Sequence, residues 1–201
     1  MRTADFDYQL PPELIAQHPP AERDAARMLV LDRSNGLVDR SVRDLPEYLE
    51  AGDVLVLNDS RVLPARLIGR RRDGVEAEVL LLRPLPEGHS RWEALIRPAR
   101  RLETGSQVNF ENSALAVAIE ARDGETATVR LDGVADALSE VRRIGEMPTP
   151  PYIRERLVDR ERYQTVYARE EGSAAAPTAG LHFTPELLAR LDVEQIGRAH
   201  V

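Results

Sequence analysis

The fold is decided by a series of short, largely apolar stretches: ARLI at 65–68, VEAEVLLL at 75–82, WEALIR at 92–97, VNF at 108–110, ALAVAIEA at 114–121 and TATVRL at 126–131. Turn signals separate these stretches, for example Arg72-Asp73-Gly74 and Arg122-Asp123-Gly124-Glu125. Short strands at this spacing are typical of a small antiparallel barrel or sandwich. We therefore expect such a unit here, with a hairpin around Gly124 and a short helix near 135–143 that closes it.

The segments on either side of this unit predict a mixture of helices and strands. Their apolar patterns favour strands at 28–32 and 54–57, short helices at 13–17 and 45–49, and one helical face at 159–169. The strand at 54–57 is apolar on both faces, which predicts that it is buried.

Two proline-containing stretches mark boundaries in the second half of the chain. Residues 145–152 are proline-rich and predict a stiff, extended linker at a domain boundary. Thr184 is followed by Pro185 and Glu186, an order typical of the first turn of a helix. We expect Thr184 to be the N-cap of that helix.

Composition excludes several classes of protein. The chain has 201 residues, 42% of them hydrophobic, and no cysteine. It therefore has neither disulfides nor thiolate chemistry, and its apolar content is sufficient for a packed core. It contains no apolar run near the roughly 20 residues that span a bilayer, and its N-terminus lacks the apolar segment of a signal peptide. We expect a cytoplasmic protein with no membrane partner.

The charge of the chain is distributed unevenly. All 27 basic residues are arginine, and the net charge is −7. Residues 60–101, however, contain ten arginines and five acidic residues, so this window carries +5 and the remainder −12. Such a window is compatible with solvated strand edges and equally with a surface that faces phosphate groups, because a phosphate contact depends on local charge.

A loop of small residues, Gly172 to Gly180, leads through His182 to the predicted helix at Thr184. Small side chains let a backbone approach a ligand closely, and a helix N-terminus attracts anions. The same residues could simply pack beneath another element. His182 in this position could act as a general base or acid, or as a structural, partly buried histidine.

Two other segments carry polar side chains with more than one interpretation. Asp59 and Arg61 follow a predicted strand, where they could bind ribose hydroxyls and a carboxylate or phosphate, or could form an Asx turn with Asp59 paired to Arg61 or Arg66. Arg154 precedes an aromatic segment, a mixture found on RNA-binding surfaces and on solvated helices alike.

The remaining histidines are assigned no chemistry. We interpret His18 as structural and His89 as a surface turn residue. No spacing of histidine and acidic residues predicts a metal site.

Taken together, these motifs resemble the S-adenosylmethionine:tRNA ribosyltransferase-isomerase family of queuosine biosynthesis. The segments that carry the resemblance are DFDYQLP with ELIAQ at 5–17, GD with NDSRVLPARL at 52–67, PPYIR at 150–154, YQTVYA at 163–168 and GSAAAPTAGLHFT at 172–184. They occur in the family's order and cover residues 1 to about 191.

The resemblance implies an α+β fold, in which a large mixed α and β domain contains an inserted small antiparallel β-barrel. The corresponding boundaries are 1–68 and 149–194 for the large domain and 69–148 for the barrel. It also implies transfer and isomerisation of the ribosyl group of S-adenosylmethionine onto 7-aminomethyl-7-deazaguanine in tRNA, giving epoxyqueuosine, adenine and methionine. S-adenosylmethionine is then a substrate, and we expect no cofactor, no metal and a monomer.

Roles for individual residues follow from the resemblance. His182 is expected to be catalytic, as the base or as a donor to the leaving adenine. Arg61 or the helix end at Thr184 is expected to hold the methionine carboxylate. The residues expected to bind substrate are Asp59, Arg61, Gly172, Ser173, Pro177, Thr178, Gly180 and Thr184. The residues expected to bind RNA are Arg70, Arg71, Arg72, Arg100, Arg101 and Arg154.

The family's chains are longer than this one, and the similarity ends near Leu191–Glu194. Residues 195–201 back-translate to CAGATCGGAAGAGCACACGTC, which contains the start of a common short-read sequencing adapter. We expect these residues to be foreign to a truncated reading frame, against the alternative of a genuine short C-terminus. Two other functions stay open: a non-catalytic RNA- or nucleotide-binding module, and an inactive fragment of the enzyme.

Overall fold

A closed antiparallel β-barrel forms the centre of the computed structural model, which describes residues 2–34, 36–86, 90–155, 157–173 and 175–200. The barrel strands are β5 (Arg66–Arg71), β6 (Glu76–Pro84), β7 (Arg91–Arg97), β8 (Gln107–Asn109), β9 (Ala116–Asp123) and β10 (Thr126–Asp132). Around the barrel the strands follow the order β10-β7-β6-β5-β8-β9, and β9 closes onto β10. The sequence prediction of a small antiparallel barrel is confirmed.

Alternating side chains fill the barrel because successive residues of a strand face opposite sides. In β6, Ala77, Val79 and Leu81 are buried, whereas the residues between them are only partly covered. The hairpin between β9 and β10 turns at Gly124, which has a φ of +61°. Helix α1 (Ala137–Ile144) then packs Val141 into the barrel core, as the sequence predicted.

The flanking segments form a smaller sheet region and a second core. Their elements are β1 (Arg27–Asp32), β2 (Gly36–Ser41), β3 (Val54–Leu57), β4 (Ser60–Val62), β11 (Glu170–Ser173), α2 (Pro185–Val193) and β12 (Gly197–His200). β1 and β2 form a hairpin, whereas β11 pairs in parallel with β4 and β12 with β3. The second core contains Leu57, Phe183, Leu187, Leu188, Leu191 and Ile196.

Four local predictions differ from the structure in burial, helix type or extent. Val54 and Val56 are 63% and 62% exposed, because their face of β3 is directed to solvent, whereas Leu55 and Leu57 on the other face pack in the second core. The helices predicted at 13–17 and 45–49 are 3-10 helices, Pro12–Leu14 and Val42–Tyr48. Pro46 lies inside the second of these helices, where it lacks the N–H that a regular helix would use. Helical structure in 159–169 is confined to a 3-10 helix, Arg160–Tyr163, and the chain then extends toward β11.

Long-range hydrogen bonds tie the N-terminal segment to the segment after the barrel. The Gln17 amide donates to the Tyr152 carbonyl at 3.0 Å and accepts from the Arg154 N–H at 2.8 Å. These contacts join residues that are about two thirds of the chain apart, and they shape the cavity described next.

Some predictions lie beyond what the structure tests. His89 is outside the described residues. The division into residues 1–68, 69–148 and 149–194 stays a prediction. Residues 197–200 lie beside β3, and the origin of residues 195–201 also stays a prediction.

Candidate active site

A cavity of about 330 Å³ lies between the N-terminal segment, the segment after the barrel and the 3-10 helix Thr178–His182. Its wall is largely apolar, with a few polar and charged side chains. The lining residues are Ala16, Gln17, His18, Pro19, Pro20, Arg23, Thr149, Ile153, Leu157, Arg162, Tyr163, Thr178, Leu181 and His182. Apolar walls with few polar groups are typical of small-molecule sites, whose volumes run from about 300 to 1,000 Å³.

His182 is held at this wall in a defined tautomer. Its Nδ1 lies 3.1 Å from the carbonyl oxygen of Ala179. Because a carbonyl only accepts hydrogen bonds, this contact requires the proton on Nδ1, and the neutral ring then carries its lone pair on Nε2. In this neutral form the ring can accept a proton at Nε2.

The small-residue loop reaches the cavity only at its C-terminal end. Thr178 lines the cavity, whereas Gly172, Pro177 and Gly180 do not. A Cβ at Gly180 would lie 2.9 Å from Cγ2 of Thr165 and closer still to the Tyr167 hydroxyl. The small residue at 180 therefore serves packing, which was one of the two alternatives that the sequence left open.

Asp59 and Arg61 lie away from this cavity, and both take part in ion pairs. The Asp59 carboxylate accepts from Arg169 at 2.8 Å, and its backbone carbonyl accepts from the Arg169 N–H at 2.7 Å. Arg61 pairs with Glu161. The Asx turn forms at Asn58, whose side chain accepts from the Ser60 N–H. The alternative that paired Asp59 with Arg61 or Arg66 is thus wrong. Arg169 directly precedes β11, and the pairing of β11 with β4 brings Arg169 beside Asp59.

Thr184 is the N-cap of α2, as predicted. Its hydroxyl accepts from the Leu187 N–H at 3.1 Å, and Pro185 occupies the first turn. The Thr184 hydroxyl is therefore occupied by a backbone N–H of its own helix. Thr184 does not line the cavity. The side chain of Ser173 is not described.

The arginines predicted to bind RNA lie on the barrel, except for Arg154, which lies in the segment after it. Arg71 donates to the Arg101 carbonyl at 2.6 Å, which places the two arginine-rich stretches of the barrel side by side. Arg71 also pairs with Asp73, while Arg72 donates to Gln107.

The remaining members of the set are more scattered. Arg70 donates to the Gly74 carbonyl, and Arg100 lines an open depression of about 780 Å³ on the barrel. Arg154 belongs to a separate cavity of about 440 Å³, together with Arg66 and Arg160.

Several polar side chains in the cavity were not predicted from the sequence. His18 pairs with Glu155 at 2.9 Å, a contact compatible with the structural interpretation of this histidine. Burial is the largest cause that raises the pKa of Tyr163, which keeps its hydroxyl protonated. Arg23 and Arg162 complete the set. Their positions could not be read from spacing, because the cavity joins three segments that only the folded chain brings together.

Two kinds of feature are absent from the part of the chain that the structure describes. Residues 2–34, 36–86, 90–155, 157–173 and 175–200 contain no group of three or more histidine or acidic side chains that could hold a metal ion. Within those same ranges, no helix has the length and hydropathy needed to cross a bilayer.

The barrel, the mixed α and β segments around it and the histidine- and arginine-containing cavity define an α+β protein with a site for a small polar molecule. The chain belongs to the queuosine biosynthesis protein family, whose model matches residues 3–201.

Curated relatives carry a more specific name. An S-adenosylmethionine:tRNA ribosyltransferase-isomerase from Symbiobacterium thermophilum is 51% identical over 95% of this chain and 56% of its own length. Its namesake from Solibacter usitatus is 48% identical over 94% of this chain and 60% of its own. The chain therefore spans less than two thirds of the length of these relatives.

One solved structure is also similar to this chain in sequence. The crystal structure of an S-adenosylmethionine tRNA ribosyltransferase from Thermotoga maritima is 32% identical, covers 98% of this chain and 56% of its own, and has a TM-score of 0.38.

Proposed function

We propose that this chain provides the S-adenosylmethionine site of a tRNA ribosyltransferase-isomerase. The enzyme transfers and isomerises the ribosyl group of S-adenosylmethionine onto 7-aminomethyl-7-deazaguanine in tRNA, forms epoxyqueuosine and releases adenine and methionine. The observation that carries the proposal is the presence of His182, with its lone pair on Nε2, in an apolar cavity of a chain 51% identical to a relative of that name. The proposed enzyme is a cytoplasmic monomer and requires no cofactor.

His182 takes the role of base. The positive sulfonium of S-adenosylmethionine acidifies the neighbouring C5′–H, so that a neutral imidazole can remove this proton onto Nε2. The Nδ1–H bond to the Ala179 carbonyl persists and stabilises the imidazolium that forms. The proton can then return to the departing adenine, which leaves as a neutral base.

The other lining residues bind the substrate and exclude water from the cavity. Ile153, Leu157 and Leu181 offer apolar surface for the adenine ring, and Thr178 and Tyr163 supply hydroxyl groups to the same wall. Because the pKa of Tyr163 is raised by its burial, the phenol stays a hydrogen-bond donor near neutral pH.

The barrel supplies the electrostatic contact with tRNA. Arg71 and Arg101 are neighbours, and the 60–101 window is positive in a chain of net charge −7. Guanidinium groups on that surface would bind the phosphate backbone, so affinity for tRNA is expected to fall steeply as salt increases.

The test is an assay for release of adenine and for modification of the tRNA. The 201-residue chain and a version extended to the length of its relatives are incubated with labelled S-adenosylmethionine and tRNA that carries 7-aminomethyl-7-deazaguanine. The matched control is the same tRNA with guanine at that position. We expect adenine release and an epoxyqueuosine nucleoside by mass spectrometry only with the modified tRNA.

Other outcomes separate the alternatives. Salt-sensitive tRNA binding without adenine release from either version would identify an RNA-binding module instead. Activity of the extended version alone would identify the 201-residue chain as an inactive fragment of the enzyme.

A further inference from the structure

Two arginines contribute positive charge to the wall that also holds His182. Arg23 belongs to the 3-10 helix Arg23–Ala25, and Arg162 belongs to the 3-10 helix Arg160–Tyr163. Both line the cavity of about 330 Å³. The guanidinium of Arg23 is partly buried, and this burial, followed by the nearby charge of Arg162, lowers its pKa from the ordinary value. Two like charges therefore share one partly desolvated wall.

Neutral carbonyl groups hold both guanidiniums in place. Arg23 donates from Nη1 to the Leu181 carbonyl at 2.9 Å and from Nη2 to the Glu161 carbonyl at 2.8 Å. Arg162 donates from Nη2 to the Pro20 carbonyl. A guanidinium has five N–H donors, so these bonds orient the groups and leave further donors for a ligand. A carbonyl also leaves the positive charge uncompensated.

The carboxylates near this wall are engaged with other groups. Asp159 and Glu161 are the acidic residues that raise the pKa of Arg23. Glu161 forms an ion pair with Arg61, and Asp159 caps the Glu161 N–H. Glu155 pairs with His18 on another part of the wall. Neither guanidinium has a carboxylate among the hydrogen-bond partners named above, so an added anion would not have to displace one.

We propose that Arg23 and Arg162 bind the α-carboxylate of the methionine part of S-adenosylmethionine. This inference rests on the proposed function and names a different carboxylate site from the one expected at Arg61 or Thr184. Arg61 is paired with Glu161, the Thr184 hydroxyl caps its own helix, and neither residue lines the cavity. Arg23 and Arg162 share their cavity with His182, so a carboxylate held there tethers the sulfonium and C5′ within the same enclosure as the base.

Selectivity follows from this arrangement. A ligand that keeps the adenosine and the sulfonium but lacks the carboxylate places its cationic chain against two guanidiniums with no compensating charge. The pair should therefore discriminate strongly between S-adenosylmethionine and decarboxylated S-adenosylmethionine, and removal of one arginine should weaken that discrimination.

The experiment compares the binding of these two ligands by calorimetry. The variants are Arg23→Gln and Arg162→Gln, and the matched control is Arg33→Gln, which removes an exposed arginine of the β1–β2 turn. We expect each cavity variant to bind S-adenosylmethionine about ten- to hundredfold more weakly, the range for loss of a charge-assisted hydrogen bond. Binding of the decarboxylated ligand should stay the same or become slightly tighter, because one repelling charge is removed, and the control should match the parent for both.

The comparison within one variant separates recognition from folding. Arg23→Gln also removes two carbonyl contacts, so a damaged cavity would weaken both ligands equally, and that result for both cavity variants would overturn the anion site. Unchanged S-adenosylmethionine affinity in Arg162→Gln and Arg23→Gln would overturn it as well. If the parent chain and its extended version bind neither ligand, the proposed function fails together with this inference.

Discussion

Gln164 satisfies both backbone polar groups of Val62. The Val62 N–H donates to Oε1 of Gln164 at 2.9 Å, and Nε2 of Gln164 donates to the Val62 carbonyl at 2.8 Å. Both bonds are buried, and one amide side chain thus acts as a strand partner at the end of β4. This contact connects the segment before the barrel to the segment that lines the cavity.

Replacing Gln164 with alanine should lower the free energy of unfolding by about 2–4 kcal/mol, because it leaves a buried donor and a buried acceptor without partners. Urea denaturation followed by circular dichroism measures the change. Gln9→Ala is the control, since Gln9 is exposed and should change stability little. A Gln164→Ala variant as stable as the parent would contradict the role of this contact.

The barrel could be predicted from the sequence because its determinants are local. Val79 and Leu81 alternate with less buried neighbours in one strand, and Gly124 supplies the positive φ of the hairpin. A local pattern of this kind is independent of the rest of the chain. The N-cap at Thr184 was predictable for the same reason.

The cavity could not be predicted because its determinants are non-local. Gln17 meets Tyr152 and Arg154, and Arg23 meets Leu181, across separations that no periodicity encodes. Burial was misjudged at Val54 for a related reason, since an apolar strand is buried only where another element covers it. His182 was selected from its motif, whereas the arginines beside it required the folded chain.

Asp59 and Arg169 should be energetically coupled, because the Asp59 carboxylate of this ion pair is largely buried. The Asp59 side chain is 13% exposed and accepts from both Nε and Nη2 of Arg169. A double-mutant cycle with Asp59→Asn and Arg169→Gln should give a coupling of about 0.5–1 kcal/mol, because one partner lies largely outside bulk solvent. The exposed pair Arg27–Asp39, at 87% and 72% exposure, should give a coupling near zero. Equal coupling in the two pairs would contradict this explanation.

Glu140 should make the stability of the fold depend on acid pH. Hydrogen bonds from Arg143 and then from the Ser113 hydroxyl lower the pKa of Glu140 from 4.5 to about 2. The unfolded chain then binds a proton at higher pH than the folded chain does, so this contribution is complete above pH 4.5 and is lost as pH falls toward 2.

Thermal unfolding of Glu140→Gln across pH 2 to 6 provides the measurement. The variant should show a shallower decrease in stability than the parent below pH 4.5. Glu76→Gln is the control, because Glu76 is an exposed barrel residue that forms no ion pair with another described residue. Identical pH profiles for parent and Glu140→Gln would show that these hydrogen bonds do not persist in solution.

Gly180→Ala should destabilise the protein through a specific steric conflict. The new Cβ would approach the Tyr167 hydroxyl and lie 2.9 Å from Cγ2 of Thr165. Overpacking of a buried position costs about 1–3 kcal/mol. Adding Tyr167→Phe removes the nearest atom and should recover part of the loss, which denaturant unfolding of the single and double variants would show. If the changes in the free energy of unfolding from Gly180→Ala and Tyr167→Phe simply add in the double variant, the Tyr167 hydroxyl is excluded as the cause.

His182→Ala should abolish most turnover and leave ligand binding largely intact. If Nε2 removes the C5′ proton, its loss should lower the rate of adenine release by about 10²–10⁴-fold, the usual contribution of a general base. Equilibrium binding of S-adenosylmethionine should change far less, because the carboxylate contacts at Arg23 and Arg162 remain. Single-turnover adenine release, measured in the extended chain, separates the two effects. His89→Ala removes the same side chain elsewhere and serves as the control. A His182→Ala rate within a few-fold of the parent would exclude His182 as the base, whereas a parallel loss of binding and rate would assign it to ligand recognition.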